Sequence, residues 1–408
     1  MIETWQTSQL VERDIAHMLH PVTNLHRHRR SGPLVLVRGA GSRVWDSDGK
    51  EYLDGFAGLW NVNVGHGREE LAEAAREQMA RLAYSPTFFG LASPPPIELA
   101  AKLAEMLPGA LNHFNFTSGG AESNETAIKI ARYYWSLGGR PDKVKIISRQ
   151  MGYHGIAMGA LAATGIPAYW DGFGPRVPGF VHVSAPYDYR NGVGLPEAEF
   201  VAKLAEELEA TIAREGPETI AAFIGEPVQG AGGVVVPPAG YWDAVVPILR
   251  RHDILVIADE VITGFGRTGT MFGMEGYGFE ADIVSLAKGI TSGYVPLGAV
   301  GVSDAIFERL AEPDRMFMHG FTYSGHPTAC AVALRNIAIV EDEDLAGNAA
   351  ARGAQLLAGL ERLLEHPHVG NVRGRGLMAL VEVVADRETR KGYDPASGVG
   401  AKLQEATR

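Results

Sequence analysis

The sequence predicts an α/β protein built on a mostly parallel sheet, and two observations carry that prediction. Between about Asn112 and Ser303, short apolar segments alternate with helical ones, as when strands are joined by crossover helices. Within this stretch Ile254-Leu255-Val256-Ile257-Ala258 is a solid apolar run, the pattern of a parallel strand covered on both faces. The run closes on Asp259, so a carboxylate stands at the C-terminal end of a buried strand, facing a cleft.

The elements follow in order. Gly32 to Asp54 alternates in short apolar pieces around Asp48-Gly49, a hairpin signal that predicts a small antiparallel unit. Arg68 to Leu82 carries apolar residues at helical spacing, and Pro94-Pro95-Pro96 before Ile97 to Leu107 predicts a second helix, since proline is tolerated in a first turn. Strands are predicted at Phe114 to Thr117, Lys145 to Ser148, Ala221 to Gly225, Ile254 to Ala258, Ile283 to Leu286 and Gly298 to Val302, with a helix over Glu125 to Trp135. Asn336 to Leu364 reads as helical, and Gly376 to Val384 as a returning strand.

With 408 residues, 46% of them hydrophobic, the chain is long enough for more than one domain, because single cores seldom grow past about 250 to 300 residues. A net charge of -11 argues against a nucleic-acid surface. No apolar run approaches the roughly 20 residues of a membrane helix, so neither nucleic acid nor membrane is an expected partner. Cys330 is the only cysteine, which excludes an intrachain disulfide, and Met1 to Thr7 lacks the basic-then-apolar pattern of a secretion signal. A cytoplasmic location is expected. The cluster His26-Arg27-His28-Arg29-Arg30 has the composition to meet an anion or a metal. Without regular ligand spacing to support that, it reads as a solvated arm, and no metal site is expected.

Chemistry gathers at three places. Phe116-Thr117-Ser118-Gly119-Gly120-Ala121-Glu122-Ser123-Asn124 runs from a strand into a helix. Small residues there let backbone N–H groups approach an anion, and the helix dipole favours phosphate; an ordinary helix start explains the same residues when the turn is taken alone. Glu260 follows Asp259, and in a strand the two side chains point to opposite faces, so only one serves a given site. Lys288 lies 29 positions after Asp259, within Leu286-Ala287-Lys288-Gly289. A lysine is ordinarily a surface residue, but its apolar flanks point to burial, which drives the amine toward its neutral, nucleophilic form. Together these suggest Schiff-base chemistry.

Gly264-Phe265-Gly266-Arg267-Thr268-Gly269 matches a dinucleotide fingerprint, yet the next segment, Thr270 to Gly276, is too glycine-broken to be the required helix. The P-loop and nucleophile-elbow patterns are absent from the sequence, which weakens nucleotide-hydrolase and esterase readings.

In combination the chain resembles the class III aminotransferases, pyridoxal-phosphate enzymes of fold type I, and within them the omega-transaminases. The resemblance rests on Thr117-Ser118-Gly119-Gly120-Ala121-Glu122, Tyr153-His154-Gly155, Gly225-Glu226-Pro227-Val228-Gln229-Gly230-Ala231-Gly232-Gly233, Asp259 to Arg267, Leu286-Ala287-Lys288-Gly289 and Phe321-Thr322-Tyr323-Ser324-Gly325-His326-Pro327. It implies a large domain with a mostly parallel seven-stranded sheet and a small α+β domain made from both chain ends. The expected spans are residues 1–65 for the first part of the small domain, 66–330 for the large cofactor-binding domain and 331–408 for an incomplete remainder of the small one.

The resemblance implies pyridoxal 5'-phosphate held covalently on Lys288, which then moves protons as a base, with Asp259 keeping the cofactor's ring nitrogen protonated. It places Ser118, Gly119, Gly120 and Ala121 at the phosphate, with Thr322 reaching the same phosphate from a neighbouring subunit. Tyr153 and Val261 would flank the ring, His154 would support Tyr153 or the ring oxygen, and Glu226 would join the cofactor site. Trp60, Phe88, Phe89, Ala231 and Phe321 would shape the substrate pocket, Phe88 and Phe89 from the partner chain. A homodimer with shared active sites is expected, with a tetramer as the alternative.

The implied reaction moves an amino group from a primary amine or omega-amino acid to pyruvate in ping-pong fashion. Ile262 agrees with that branch, since ornithine and 4-aminobutyrate enzymes of the family commonly carry glutamine after Asp-Glu-Val. The alternatives are 2-oxoglutarate as acceptor, an aminomutase or a decarboxylase on the same lysine, or an inactive protein. The omega branch ends with a strand, a carboxylate-binding arginine, a Pro-Pro-Leu turn and a helix, none of which follows Gln404-Glu405-Ala406-Thr407-Arg408. A shortened product is therefore expected, and no arginine takes the carboxylate role.

Overall fold

A computed structural model describes residues 6–407; Met1 to Trp5 and the terminal Arg408, both touched on above, lie outside them. Two helices, α1 (Thr7–His17) and α2 (Leu25–Ser31), lead into a three-stranded antiparallel sheet of β1 (Leu36–Ala40), β2 (Arg43–Asp46) and β3 (Glu51–Leu53). The predicted hairpin forms because Asp46 accepts from the Asp48 and Lys50 amides at 3.0 and 2.8 Å, closing the turn around Gly49. A kinked turn, α3 (Ala57–Trp60), precedes α4 (Glu69–Leu82) and α5 (Pro94–Met106), whose prolines occupy the first turn as expected.

The centre is a seven-stranded sheet: β4 (Leu111–Thr117), β5 (Lys145–Arg149), β6 (Phe180–Val183), β7 (Ile220–Gly225), β8 (Leu255–Asp259), β9 (Ile283–Leu286) and β10 (Gly298–Ser303), in the order β4-β10-β9-β8-β7-β5-β6. Only β10 runs antiparallel, pairing with both β4 and β9. Every residue of β8 is buried, which explains the unbroken apolar run. Alternate residues feed two cores. Val256 and Ala258 join Phe223, Val284 and Leu286 on one face, while Leu255 and Ile257 join Ala222, Ile224 and Ile283 on the other.

The second face is covered by α6 (Gly120–Leu137), α7 (Met158–Ala163) and, farther along the chain, residues such as Ile306. A single turn, α8 (Asp188–Asn191), precedes α9 (Glu197–Glu215), which with α10 (Tyr241–Arg251) and α5 packs on the first face. Beyond β10 come α11 (Asp304–Leu310), α12 (Pro327–Asp342), α13 (Leu345–Glu361), the hairpin β11 (Val369–Arg375) and β12 (Met378–Val383), and α14 (Val399–Ala406).

Two predicted elements need correction, and two strands went unpredicted. Strand β6 escapes sequence reading because it lies on the sheet edge, where three of its four residues are only partly buried and His182 interrupts the apolar run. The single helix expected over Asn336 to Leu364 is two helices, broken at Asp344, which adopts φ +45° and caps α13 through the Gly347 amide at 3.1 Å. Helix α6 begins at Gly120, five residues before the expected start, and so brings Gly120 and Ala121 into its first turn. Strand β12 has an antiparallel partner, β11, that periodicity did not reveal.

Candidate active site

The C-terminal ends of β4, β5, β7, β8 and β9 converge on a cavity of about 180 Å³ lined by Gly120, Ala121, Asn124, Tyr153, His154, Gly155, Glu226, Asp259, Val261, Ile262 and Lys288. This is the edge at which open α/β sheets bind ligands.

Lys288 sits at φ +47°, in the left-handed region that a side chain with a Cβ rarely adopts. Its surroundings hold it there. Asn336, buried on α12, donates to the carbonyls of Gly289 and Ile290 at 2.8 and 3.1 Å, clamping the turn that begins at Lys288. A Cβ on Gly289 would come 2.6 Å from Asn63 Nδ2 and 3.1 Å from Phe265, so only glycine lets the turn pack this closely. Desolvation lowers the ammonium pKa of Lys288, as does Arg267, while Asp259 and Glu226 pull it upward.

Asp259 is buried, and each carboxylate oxygen is occupied. Oδ2 accepts from Asn124 Nδ2 at 2.8 Å and from His154 Nδ1 at 2.7 Å, while Oδ1 accepts from the Val261 amide at 3.1 Å. His154 therefore backs Asp259 rather than Tyr153. Its backbone amide donates to Thr164 Oγ1 at 2.9 Å, which fixes the loop after β5. Asn124, one turn into α6, was not singled out by sequence; it also donates to the His154 carbonyl at 2.8 Å and so joins the helix, the loop and the carboxylate. Only the early start of α6 puts it in reach.

Glu226 follows β7 and accepts from the amides of Tyr153 at 3.0 Å and Gly230 at 2.8 Å. Burial, with Asp259 nearby, raises its pKa, against the opposing effect of His154. Glu260 faces away from the cavity, as strand alternation requires. It accepts from the Gly273 and Met274 amides at 2.9 and 2.7 Å and from Thr263, and burial pushes its pKa up to about 7. Its work is to fasten the glycine-rich segment, which forms turns packed against α13, with no helix where a pyrophosphate would need one.

The start of α6 presents its first amides to the cavity, because the opening N–H groups of a helix have no intrahelical acceptor. Glycine at 120 is needed for close approach: a Cβ there would lie 2.8 Å from Val261 Cγ1. Ser118 and Gly119 do not line the cavity, and the Ser118 amide is taken by Glu122 at 2.8 Å. Ser123 anchors the helix start to the strand carrying Lys288, donating to the Leu286 carbonyl at 3.1 Å.

The expected substrate-pocket residues divide. Trp60 packs with Ile262, which lines the cavity, and meets Phe56 edge-on. Phe88, Phe89, Ala231, Phe321 and Thr322 do not line this chain's cavity. Phe88 lies beside Gly320, Phe89 is 97% exposed, and the Thr322 carbonyl accepts from Tyr84 at 2.7 Å. Among the described residues no helix is long and apolar enough to cross a membrane.

Comparison with known proteins agrees with this geometry. The class-III aminotransferase family matches residues 25–406. Putrescine–pyruvate aminotransferase from Pseudomonas aeruginosa is 44% identical, over 97% of this chain and 86% of that protein. Diaminobutyrate–2-oxoglutarate transaminase from Halomonas elongata is 42% identical, over 97% and 87%. A thermostable (S)-enantioselective omega-transaminase from Thermomicrobium roseum superposes with a TM-score of 0.98 at 70% identity, over 99% of this chain and 90% of that one.

Proposed function

The chain belongs to the class-III aminotransferases, and from that premise we propose that it moves an amino group from a primary amine or omega-amino acid to pyruvate. The observation that carries the reading is the cavity wall. Beside the polar cluster around Lys288 stand Val261 and Ile262, with Trp60 packed against the apolar cluster to which Ile262 belongs. Such a wall selects amines by shape.

The residues present fit pyridoxal phosphate, the cofactor its family implies. An amine of lowered pKa, an anchored carboxylate, and a helix start kept open by Gly120 surround one cavity, matching an aldehyde, a basic ring nitrogen and a phosphate. Lys288 would hold the cofactor covalently through Nζ, Asp259 would meet the ring nitrogen, the Gly120 and Ala121 amides would meet the phosphate, and Tyr153 and Val261 would supply apolar cover. When bound, the group supplies an electron sink for the bond broken at the amine-bearing carbon.

The chain's own contribution is proton handling. Desolvation favours neutral Lys288, which can accept a proton from the substrate carbon and return it on the other side of the transfer. Asn124, His154 and the Val261 amide fix the Asp259 carboxylate, so its charge points one way without reorganisation. Glu226 holds Tyr153 in place through the backbone.

The acceptor is tested by running putrescine, aryl-alkyl amines and omega-amino acids against pyruvate and 2-oxoglutarate separately. Alanine formation at least about tenfold faster than glutamate formation is expected, a gap of about 1.4 kcal/mol in transition-state stabilisation. Faster glutamate formation would transfer the assignment to 2-oxoglutarate, the acceptor named for the Halomonas relative.

We further propose a cytoplasmic homodimer in which Phe88, Phe89 and Thr322 complete the partner's site. The supporting observation is that these residues stand outside their own cavity, with Phe89 almost wholly exposed. Sedimentation at assay concentration should give twice the mass of one chain. An active monomer would defeat the proposal.

A further inference from the structure

The N-terminal arm poses a separate problem of cohesion. Neither α1 nor α2 buries a residue, so no apolar core of their own joins them. What lies between them is polar. Asp14 of α1 accepts at Oδ2 from His20 Nε2 and at Oδ1 from His28 Nε2, both at 2.7 Å. One ligand atom from each of the three side chains lies within 4.8 Å of the others, and the two imidazole rings stand 4.2 Å apart. The three side chains are 11%, 24% and 9% exposed, well sheltered for polar groups on an otherwise solvated arm.

We propose that Asp14, His20 and His28 bind a divalent transition-metal ion of the zinc class, which fastens α1 to α2. Two imidazoles and a carboxylate form the mixed N/O set that such ions favour over calcium or magnesium. The donors already converge: contacts of 2.7 Å need open by roughly 0.7 Å to reach the ligand separation of about 3.4 Å that a tetrahedral ion with bond lengths of about 2.0–2.2 Å requires. Beside the cluster lies a cavity of about 740 Å³, lined by His20, Asn24, His28 and also Glu405 of α14. It gives room for water as a fourth ligand. Arg27 lines the same cavity and moderates the affinity by its charge.

An ion held there would contribute directly to the ordering of the arm, because metal affinity at a site absent from the unfolded chain is folding energy. The ligands lie 6 and 8 positions apart and on different elements, a spacing without regularity along the sequence. His28 thus belongs to a site that its basic neighbours conceal, against the expectation that the arm holds no metal.

Tag-free holoenzyme, stripped with chelator and titrated with Co²⁺, should develop visible absorption that saturates at one equivalent and is displaced by Zn²⁺. Asp14→Asn and His28→Gln should each weaken Co²⁺ binding at least tenfold while leaving amine turnover unchanged, which verifies the fold. Absence of a saturable band, or a band of undiminished affinity in both variants, overturns the proposal.

Discussion

Lys288→Ala should reduce transamination by at least about 10⁴-fold, the upper range for losing a positioned acid–base group, and more if the covalent hold is lost with it. Alanine fits the available space, so the fold should survive. Residue 288 keeps both its left-handed φ and the Cβ that makes this φ costly, so the substitution leaves the backbone strain as it was. The informative measurement pairs stopped-flow rates with the mass of the borohydride-reduced protein. The parent chain should gain one cofactor by mass, and the variant none. A variant that retains turnover within about tenfold of the parent would remove Lys288 from the mechanism.

Asp259→Asn should leave the cofactor bound and slow the proton-transfer half-reaction about 10²- to 10⁴-fold. The substitution is isosteric but not neutral to its neighbours. Asn124 and His154 donate to one oxygen and the Val261 amide to the other. Whichever way an asparagine amide turns, its NH₂ confronts a donor, so the variant loses a hydrogen bond as well as the charge. A repositioned side chain would therefore lower stability by about 1–3 kcal/mol, measurable in urea, independently of the rate effect. Single-turnover bleaching of the bound cofactor by amine isolates the rate. A half-reaction slowed less than about tenfold would show that the carboxylate is not what sustains the chemistry.

Much of this architecture was legible because burial writes itself into composition. The strand Leu255–Asp259 is apolar throughout since both faces are covered, and the carboxylate that interrupts it stands where the sheet ends. The same logic exposed the glycine-rich segment after Thr263 as something other than a nucleotide loop. What escaped was set by tertiary contacts. Asn336 follows Arg335 on a helix rich in Ala, Val and Ile, and nothing local says that it clamps a turn 46 positions earlier. Asn124 reads as a residue just ahead of the helix until α6 is known to start at Gly120. His154 looked like a neighbour of Tyr153 because it follows it in the chain, yet its ring turns to a strand 105 positions away.

The antiparallel strand β10 has a consequence for how the protein is made. It is the last strand of the large sheet to be synthesised, and it inserts between β4 and β9, hydrogen-bonded to both. Until it arrives, β4 has no hydrogen-bonded neighbour in the sheet, and the helix start after it meets the strand of the lysine only through contacts such as Ser123 with the Leu286 carbonyl. On the ribosome, then, a nascent chain cannot complete the seven-stranded sheet until residue 303 has left the exit tunnel, however well its earlier βαβ units have formed. The pairing of β10 with β4 closes a long loop, the kind of non-local contact that slows folding.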